Sequence, residues 1–563
     1  MTTNDTAPGA TRAEAGPSET LDAALAHIAA GRFAEAEALC EARVASDPAD
    51  AQAWHLLGGI ALRGGRLDAA IERCRRTLAL APALAKAHSN LGAALAARGE
   101  TVEAITALQT AISLDPALVA AYANLGDAYL KIGRTAEAVA ILRQGVSRDP
   151  QYAMAQLNLG AALARDGQVD EAIAVLETAV RAHPEMAQMH VNLGYSRQRN
   201  FDYQGALACY RRALELNPRM PDVLVSLGGV YHALGRLDEA VQAYDQSLAL
   251  RPDYPDAAHY RSLVHLTRGN FAQGWRDHSY RAPIRFASVP LWREPLAENL
   301  SGRELFLRRE QGLGDEIFFL RFAAELKRRG GRLTYQADPK IASLLRRLAS
   351  LDGVVTADPQ PGDMRPILSV GDLPLLLGMR TIADIPPSIS LSPLPEALAA
   401  QRAALAAAGP PPYIGVTWRA GVDKARMLFK SIAIEQIGGV LAGGAGTLIA
   451  LQRAPQGGEI AQLAALAGRP VHDFSALNDR LEDMLALLSL LDDYVTVSNT
   501  NVHLRAAVGR PSRVLVPWPA EYRWMSEGDR SPWFPDSPVY RQALEGSWAG
   551  ALARLAGDLA VGR

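Results

Sequence analysis

The sequence predicts an all-α solenoid of helical repeats followed by an α/β domain of two parallel-sheet lobes with a cleft between them. Three observations carry this reading. Pro48, Pro82, Pro116, Pro150, Pro184, Pro218 and Pro252 recur at intervals of 34, and each closes an amphipathic run such as AIERCRRTLALAP. From residue 304 the period changes, and short apolar, often β-branched runs alternate with amphipathic runs of ten or more residues. The chain of 563 residues is also too long for one hydrophobic core, so several domains are expected.

Residues 1–18, rich in Thr, Ala, Gly and Pro, read as a disordered tail. The solenoid is assigned to 19–281. Within it Leu-Gly recurs at 57–58, 91–92, 125–126, 159–160, 193–194 and 227–228, and Ala at 70, 104, 138, 172, 206 and 240. Small residues at fixed places let paired helices approach closely. Cys40, Cys74 and Cys209 all fall inside repeats, without a C-x-x-C pair, and read as small core residues.

The length of 34, the paired helices, Leu-Gly, Ala and the closing Pro resemble the tetratricopeptide repeat. Such pairs cannot bury their apolar faces alone; they stack, and the first helices line an inner surface suited to extended peptide. On that surface Asn90, Asn124, Asn158 and Asn192 stand 34 apart as a ladder. Asparagine can donate to and accept from a peptide backbone whatever its side chains, while local satisfaction of backbone groups is the alternative use. The ladder resembles that of animal O-linked N-acetylglucosamine transferases, and Leu56 and Ser226 break it at its two ends. HLTRGNFAQGWRDHSYR, 265–281, reads as a capping unit, and the proline-bearing 282–303 as a linker.

In the second half ELFLR, RLTYQAD, GVVTAD and PILSV read as strands of a first lobe, 304–390. A Pro- and Ala-rich bridge follows at 391–411. YIGVTW, TLIALQ, PVHDF, YVTVSN and SRVLVP then read as strands of a second lobe, 412–563. Ligands of open parallel sheets sit beyond the carboxyl ends of the strands, which directs attention to the loops 310–316, 418–430, 452–458 and 498–503.

Gly312 and Gly314 permit a tight turn with backbone N–H groups free at a helix start. At 498–503, Ser498, Asn499, Thr500 and His503 lie where a strand runs straight into a helix, a setting that suits a diphosphate. The same residues are also good helix caps. Arg419, Lys424, Arg426 and Lys430 follow the first strand of the second lobe and could neutralise a phosphate leaving group; Lys424 and Arg426 read better as a solvated charged loop.

QGLGDE, VTWRAG followed by KSI, and DDYVTVSNTNVHLRAAVGRPSRVLVPWPAEYRWM before SPWFP together resemble the heptosyltransferase-like domain, a glycosyltransferase family 9-like domain that often follows tetratricopeptide repeats in bacterial proteins. The resemblance spans roughly 304–545. It implies the GT-B fold of two Rossmann-like lobes and metal-independent sugar transfer from a nucleotide-sugar co-substrate, without a further cofactor. No Asp-x-Asp is present in the sequence. By this resemblance Asp315 is the candidate general base. Gly312, Gly314, Trp418, Arg419, Lys430, Gln452, Ser498, Asn499, Thr500 and His503 are the candidate donor-binding residues. Asn499-Thr500 departs from the Asp-Thr or Asp-Ser usual in the family.

With peptide-binding repeats ahead of it, the leading expectation is a cytoplasmic glycosyltransferase that modifies Ser or Thr of a protein client. Resemblance to flagellin glycosyltransferases makes flagellin the first candidate client. The alternatives are a non-catalytic adaptor with a degenerate GT-B half, supported by Asn499, and a lipopolysaccharide-type transferase, for which the sequence offers no basic amphipathic helix. A net charge of −2 gives no electrostatic footprint for nucleic acid, and no run of 18 uncharged apolar residues suggests membrane insertion.

Overall fold

The computed structural model describes residues 17–285, 287, 289–310, 312–359, 365–420, 430–442 and 444–561. They form two compact units that divide between Arg219 and Met220.

The first unit is entirely helical and holds six helix pairs: α1 (Pro17–Ala29) with α2 (Phe33–Ser46), α3 (Ala51–Arg63) with α4 (Leu67–Leu80), α5 (Ala85–Arg98) with α6 (Thr101–Leu114), α7 (Val119–Lys131) with α8 (Thr135–Arg148), α9 (Ala153–Asp166) with α10 (Val169–Ala182), and α11 (Ala187–Arg199) with α12 (Tyr203–Leu216). Of the tail expected at 1–18, residues 1–16 lie outside the described residues, and α1 begins at Pro17. The Leu-Gly glycine meets the second helix of its own pair 16 residues on. A Cβ at Gly126 would stand 2.4 Å from Leu142 Cγ, and one at Gly160 would stand 2.4 Å from Leu176 Cγ. Any side chain there would push the pair apart. Cys40, Cys74 and Cys209 are free and buried, and burial pushes the Cys74 thiol up to about 12.

The second unit begins with two more pairs, α13 (Pro221–Ala233) with α14 (Leu237–Leu250) and α15 (Pro255–Thr267) with α16 (Phe271–His278), followed by the short α17 (Ala282–Arg285). A four-stranded parallel sheet comes next, built from β1 (Glu304–Arg308), β2 (Arg332–Gln336), β3 (Gly353–Val355) and β4 (Ile367–Ser369) in the order β3-β2-β1-β4. Helices α18 (Leu313–Phe319), α19 (Ala323–Arg328), α20 (Ala342–Leu345) and α21 (Leu373–Leu376) connect and follow these strands.

After α22 (Pro395–Ala408) the chain forms β5 (Tyr413–Thr417), α23 (Ile434–Leu441), β6 (Thr447–Ala450), α24 (Glu459–Ala467), β7 (Val471–Asp473), α25 (Leu481–Leu490), β8 (Asp493–Val497), α26 (Thr500–Ala507) and β9 (Arg513–Val516). β10 (Arg530–Ser531), β11 (Phe534–Arg541) and α27 (Ala549–Val561) complete it. The seven strands take the order β10-β11-β9-β8-β5-β6-β7, parallel except for β10 against β11. Strand order reverses beside β1 in the first sheet and between β5 and β8 in the second, where a ligand crevice is expected.

One assignment gains its form here and two are corrected. The bridge at 391–411 is mostly helix: Pro395 sits in the first turn of α22, the alanines after it are the strongest helix formers, and Gln401 Nε2 donates to Asp483 Oδ1 of α25 at 3.2 Å. The 265–281 cap does not end the repeats against solvent. Trp275 of α16 is 1% exposed, with Phe319 and Trp533 rings each 6.1 Å from its own, centroid to centroid, so the last repeats share a core with the α/β region. The linker at 282–303 is pinned to the first sheet region, Trp292 N donating to Ile367 O at 2.8 Å and Leu296 N to Leu376 O at 3.0 Å.

One apolar cluster also runs through both sheet regions. It joins Leu307, Tyr335 and Leu368 of the first sheet to Met484 and Leu488 of α25, Val502 of α26 and Trp533. The lobes are therefore packed together over part of their facing surfaces, and a pocket opens between them at the strand ends.

Candidate functional site

That pocket, a cavity of about 250 Å³, is lined from the segments after β1, β5, β6, β7, β8 and β9. The first lobe supplies Gly312, Leu313, Gly314 and Asp315; the second supplies Arg419, Lys430, Arg453, Asn478, the stretch Ser498–Asn501, His503, Glu521 and Arg523.

The glycine turn is shaped by two backbone requirements. Gly312 has φ 85°, a left-handed value that favours glycine. Gly314 lies against the second lobe: a Cβ there would meet His503 Cδ2 at 3.1 Å and Nε2 at 3.4 Å, with Thr500 Cα at 3.7 Å. The turn and the start of α26 thus touch, and glycine is what permits it.

Asp315 follows, its side chain 35% exposed, and Arg523 Nη2 donates to its Oδ1 at 2.5 Å. Arg523 Nη1 lies 3.2 Å from His503 Nε2. Burial works against the Arg523 charge, but Asp315 and Glu521 outweigh it and raise its pKa. His503 is driven well below the usual histidine range, first by burial and then by Arg523, which disfavours its charged form. Its Nδ1 is buried without a hydrogen-bond partner among the described residues.

Lys430 is fixed by its backbone, Ala420 N donating to Lys430 O at 2.8 Å and Ile432 N to Trp418 O at 2.9 Å. Its Nζ donates to Glu521 Oε1 at 2.5 Å, and Ser498 Oγ donates to Glu521 Oε2 at 2.6 Å. Burial alone would raise the Glu521 carboxyl; Lys430 and Arg523 overcome that and hold it at about 2. The charges form a chain, Asp315, Arg523, Glu521, Lys430, in which each cation is neighboured by a carboxylate. Arg419 is ion-paired with Glu459 at 2.6 Å, and Arg453 is exposed on the rim.

Not all the candidate residues face this space. Gln452 is wholly buried: its Oε1 accepts from Trp418 N at 3.2 Å and Arg419 N at 2.9 Å, and its Nε2 donates to Arg419 O and Arg453 O. All of its hydrogen bonds go to backbone, which corrects its assignment to donor contact. Trp418 is 2% exposed in the core under the second sheet and likewise stands behind the pocket wall. Asn499 is the N-cap of α26, accepting from Val502 N at 3.3 Å and donating to Thr496 Oγ1 at 2.8 Å. Lys424 and Arg426 lie outside the described residues, as does Gln311 of the QGLGDE turn.

The asparagine ladder occupies α5, α7, α9 and α11, and all four residues are half-buried. Asn158 Nδ2 donates to Ala123 O at 3.1 Å and Asn192 Nδ2 to Leu157 O at 3.5 Å, each reaching a carbonyl 35 residues earlier in the preceding repeat. At these two positions one amide hydrogen stitches neighbouring repeats; Asn192 Oδ1 also accepts from Gln188 Nε2 at 3.1 Å, so the capacity of Asn192 for a further partner is reduced. Glu521, Arg523, Arg453, Asn478 and Asn501 line the pocket without a role in the sequence reading. Glu521 and Arg523 do fall inside the VPWPAEYRWM segment that carries part of the family resemblance.

Sequence profiles of the tetratricopeptide repeat match residues 21–85, 94–133, 123–187 and 191–258. The N-terminal part of the chain is thus a run of tetratricopeptide repeats, and an α/β region with parallel sheets follows it. Among curated proteins the chain is similar to Protein FlbA of Caulobacter vibrioides, 24% identical over 326 residues that cover 53% of each chain. It therefore spans about half the length of that relative.

Solved structures also resemble part of the chain. They include the APC/C hetero-tetramer Cut9-Hcn1, with 19% identity, TM-score 0.39, and 41% of this chain and 48% of that one covered. YrrB, described as a TPR protein with an unusual peptide-binding site, has 20% identity and TM-score 0.29, with 34% of this chain and 100% of that one covered. A thermophilic TPR protein of Thermus thermophilus, TTC0263, has 28% identity and TM-score 0.29, with 32% and 97% covered. No helix among the described residues is long and apolar enough to cross a membrane.

Proposed function

We propose that the protein is a metal-independent GT-B glycosyltransferase that moves a sugar from a nucleotide-sugar to Ser or Thr of a protein client docked on the repeats, with flagellin as the first candidate. The observation that carries this reading is one pocket uniting Asp315 on the glycine turn of one lobe with Lys430 and the N-terminus of α26 from the other. With Oδ1 held by Arg523, Asp315 offers Oδ2 to the acceptor hydroxyl and takes its proton. The hydroxyl oxygen attacks the anomeric carbon, and the bond to the diphosphate oxygen breaks with its electron pair leaving on that oxygen. Lys430 and the α26 amides neutralise the charge released. The cavity takes the sugar and its phosphates, the rest of the donor extending outward past Arg453.

The test is a panel of nucleotide sugars in thermal denaturation, followed by intact-mass measurement of clients from cells with and without the gene. A donor at 100 times its dissociation constant stabilises by about 2.7 kcal/mol, and a client mass difference then names the sugar. A second reading, a repeat-borne adaptor with an inactive α/β half, is favoured by one observation: Arg419, Lys430 and Arg523 are each already matched by a carboxylate, and Asn499 serves as a cap. No shift with any donor and no client mass change would establish that reading instead.

A further inference from the structure

Two buried contacts tie the last repeat to the pocket, one for each lobe. Arg281, three residues after α16, is buried with its guanidinium between two carboxylates. Its Nε donates to Glu310 Oε2 at 3.1 Å, and Nη2 donates to Glu310 as well; Nη1 donates to Asp372 Oδ1 at 2.5 Å and to His278 O at 3.0 Å. Ser369 Oγ completes the shell of Glu310. Gly371 is open enough for this only because it has no side chain, since a Cβ there would lie 2.5 Å from Glu310 Oε1. Glu310 stands two residues before Gly312, so the guanidinium of the repeat end holds the stem of the glycine turn.

On the other lobe, Trp275 and His278 of α16 meet Tyr522 edge to face, with ring centroids 5.7 and 6.0 Å away. Tyr522 lies between Glu521 and Arg523, the two charged pocket residues of that segment. Replacing a buried ion triad by apolar residues is often neutral or stabilising, so stability alone does not account for placing a guanidinium here. Its two carboxylates fix a direction, which an apolar plug would not.

We propose that α16 and Arg281 act as a positioning element of the pocket, setting the glycine turn and the Glu521–Arg523 segment relative to each other. The consequence for sugar transfer rests on the function proposed above; the consequence for local order does not.

The test is hydrogen exchange of the full-length protein, comparing Arg281→Met with Arg281→Lys, read at the amides of 312–320 and 520–525 against those of 51–216. Arg281→Met raises exchange in both pocket segments by about tenfold and leaves the upstream helices unchanged. Arg281→Lys restores part of the protection, because an ammonium keeps the charge without the fork. Binding of inorganic pyrophosphate weakens in parallel, and where transfer is measurable it falls by about 100-fold in kcat. Should Arg281→Met fail to fold, Trp275→Phe gives the same reading with a smaller perturbation. Unchanged exchange at both segments in a folded variant overturns the proposal. If wild-type protein binds neither pyrophosphate nor any nucleotide, the transferase reading fails while the exchange result still decides this one.

Discussion

Nη2 of Arg523 stands 2.5 Å from Oδ1 of Asp315, although the two are 208 positions apart in the chain and belong to different lobes. Both residues line the pocket, and the pairing constrains what each can do. One carboxylate oxygen is committed to the guanidinium, and only the other is left to take a proton.

Asp315→Asn keeps the shape and a carbonyl oxygen for Arg523 but removes the proton acceptor. Transfer is expected to fall by about 10²–10⁴-fold, with donor binding retained, measured as initial rate against nucleotide thermal shift. Asp315→Ala additionally leaves Arg523 short of a partner and lowers stability by about 1–3 kcal/mol, read by urea denaturation.

Glu521→Gln tests the other carboxylate. Its folded-state value of about 2 lies below the ordinary 4.5, so the charge stabilises the fold above about pH 4.5 and that contribution disappears as pH falls toward 2. The variant is expected to lose about 2–3 kcal/mol at neutral pH, with the gap to wild type closing in acid. Because Lys430 is then no longer held by Glu521, pyrophosphate binds the variant more tightly, and Lys430→Met more weakly, than wild type.

Glu316 has the opposite sign. It is 1% exposed, and burial raises its carboxyl to about 7 despite hydrogen bonds from Tyr335 OH and Asp338 N. A raised folded value means the contribution is complete below about pH 4.5 and lost as pH rises through 7. Glu316→Gln is expected to flatten the stability profile between these limits and to exceed wild type above about pH 7 by about 3 kcal/mol at most, measured by denaturation across pH.

Gly314→Ala places a methyl 3.1 Å from the His503 ring. The glycine turn must retreat from α26, at about 1–3 kcal/mol in stability, and donor binding weakens with it. A variant matching wild type in both would show that the turn and α26 adjust freely.

A fragment of residues 220–563 is expected to unfold cooperatively and to retain pyrophosphate binding. A fragment beginning at 282 lacks Trp275 and Arg281, leaving Trp533, Glu310 and Asp372 without their partners, and is expected to aggregate or fail to show a transition.

The repeats were legible because their marks are local and periodic: each Leu-Gly glycine faces a residue 16 positions on in its own pair, a distance the sequence displays. Strands β1–β9 and the four loops at their ends were legible for a similar reason, since apolar runs bounded by turn residues carry their own boundaries; β10, and β11 with its Pro535 and Pro538, were not read. Arg523 was not, because its partners Asp315 and His503 are remote in sequence and its one-turn helix has no period. Gln452 shows the reverse failure: a polar residue at a strand end looks ligand-facing until the backbone groups around it are counted. The alanines of α22 were read only as a bridge between the lobes, because flanking prolines drew attention away from the helix propensity between them. Trp275 looked like a terminal cap because the sequence cannot display that its neighbours are Phe319 and Trp533.

The burial of Trp275 also bears on how such proteins can be rebuilt. The chain divides ahead of Met220, which makes that junction the place to splice in a different repeat array. The α15–α16 pair after that junction contributes Leu266, Phe271 and Trp275 to the α/β half's own interior, and a chimera spliced at the last repeat would inherit a hole in place of an indole.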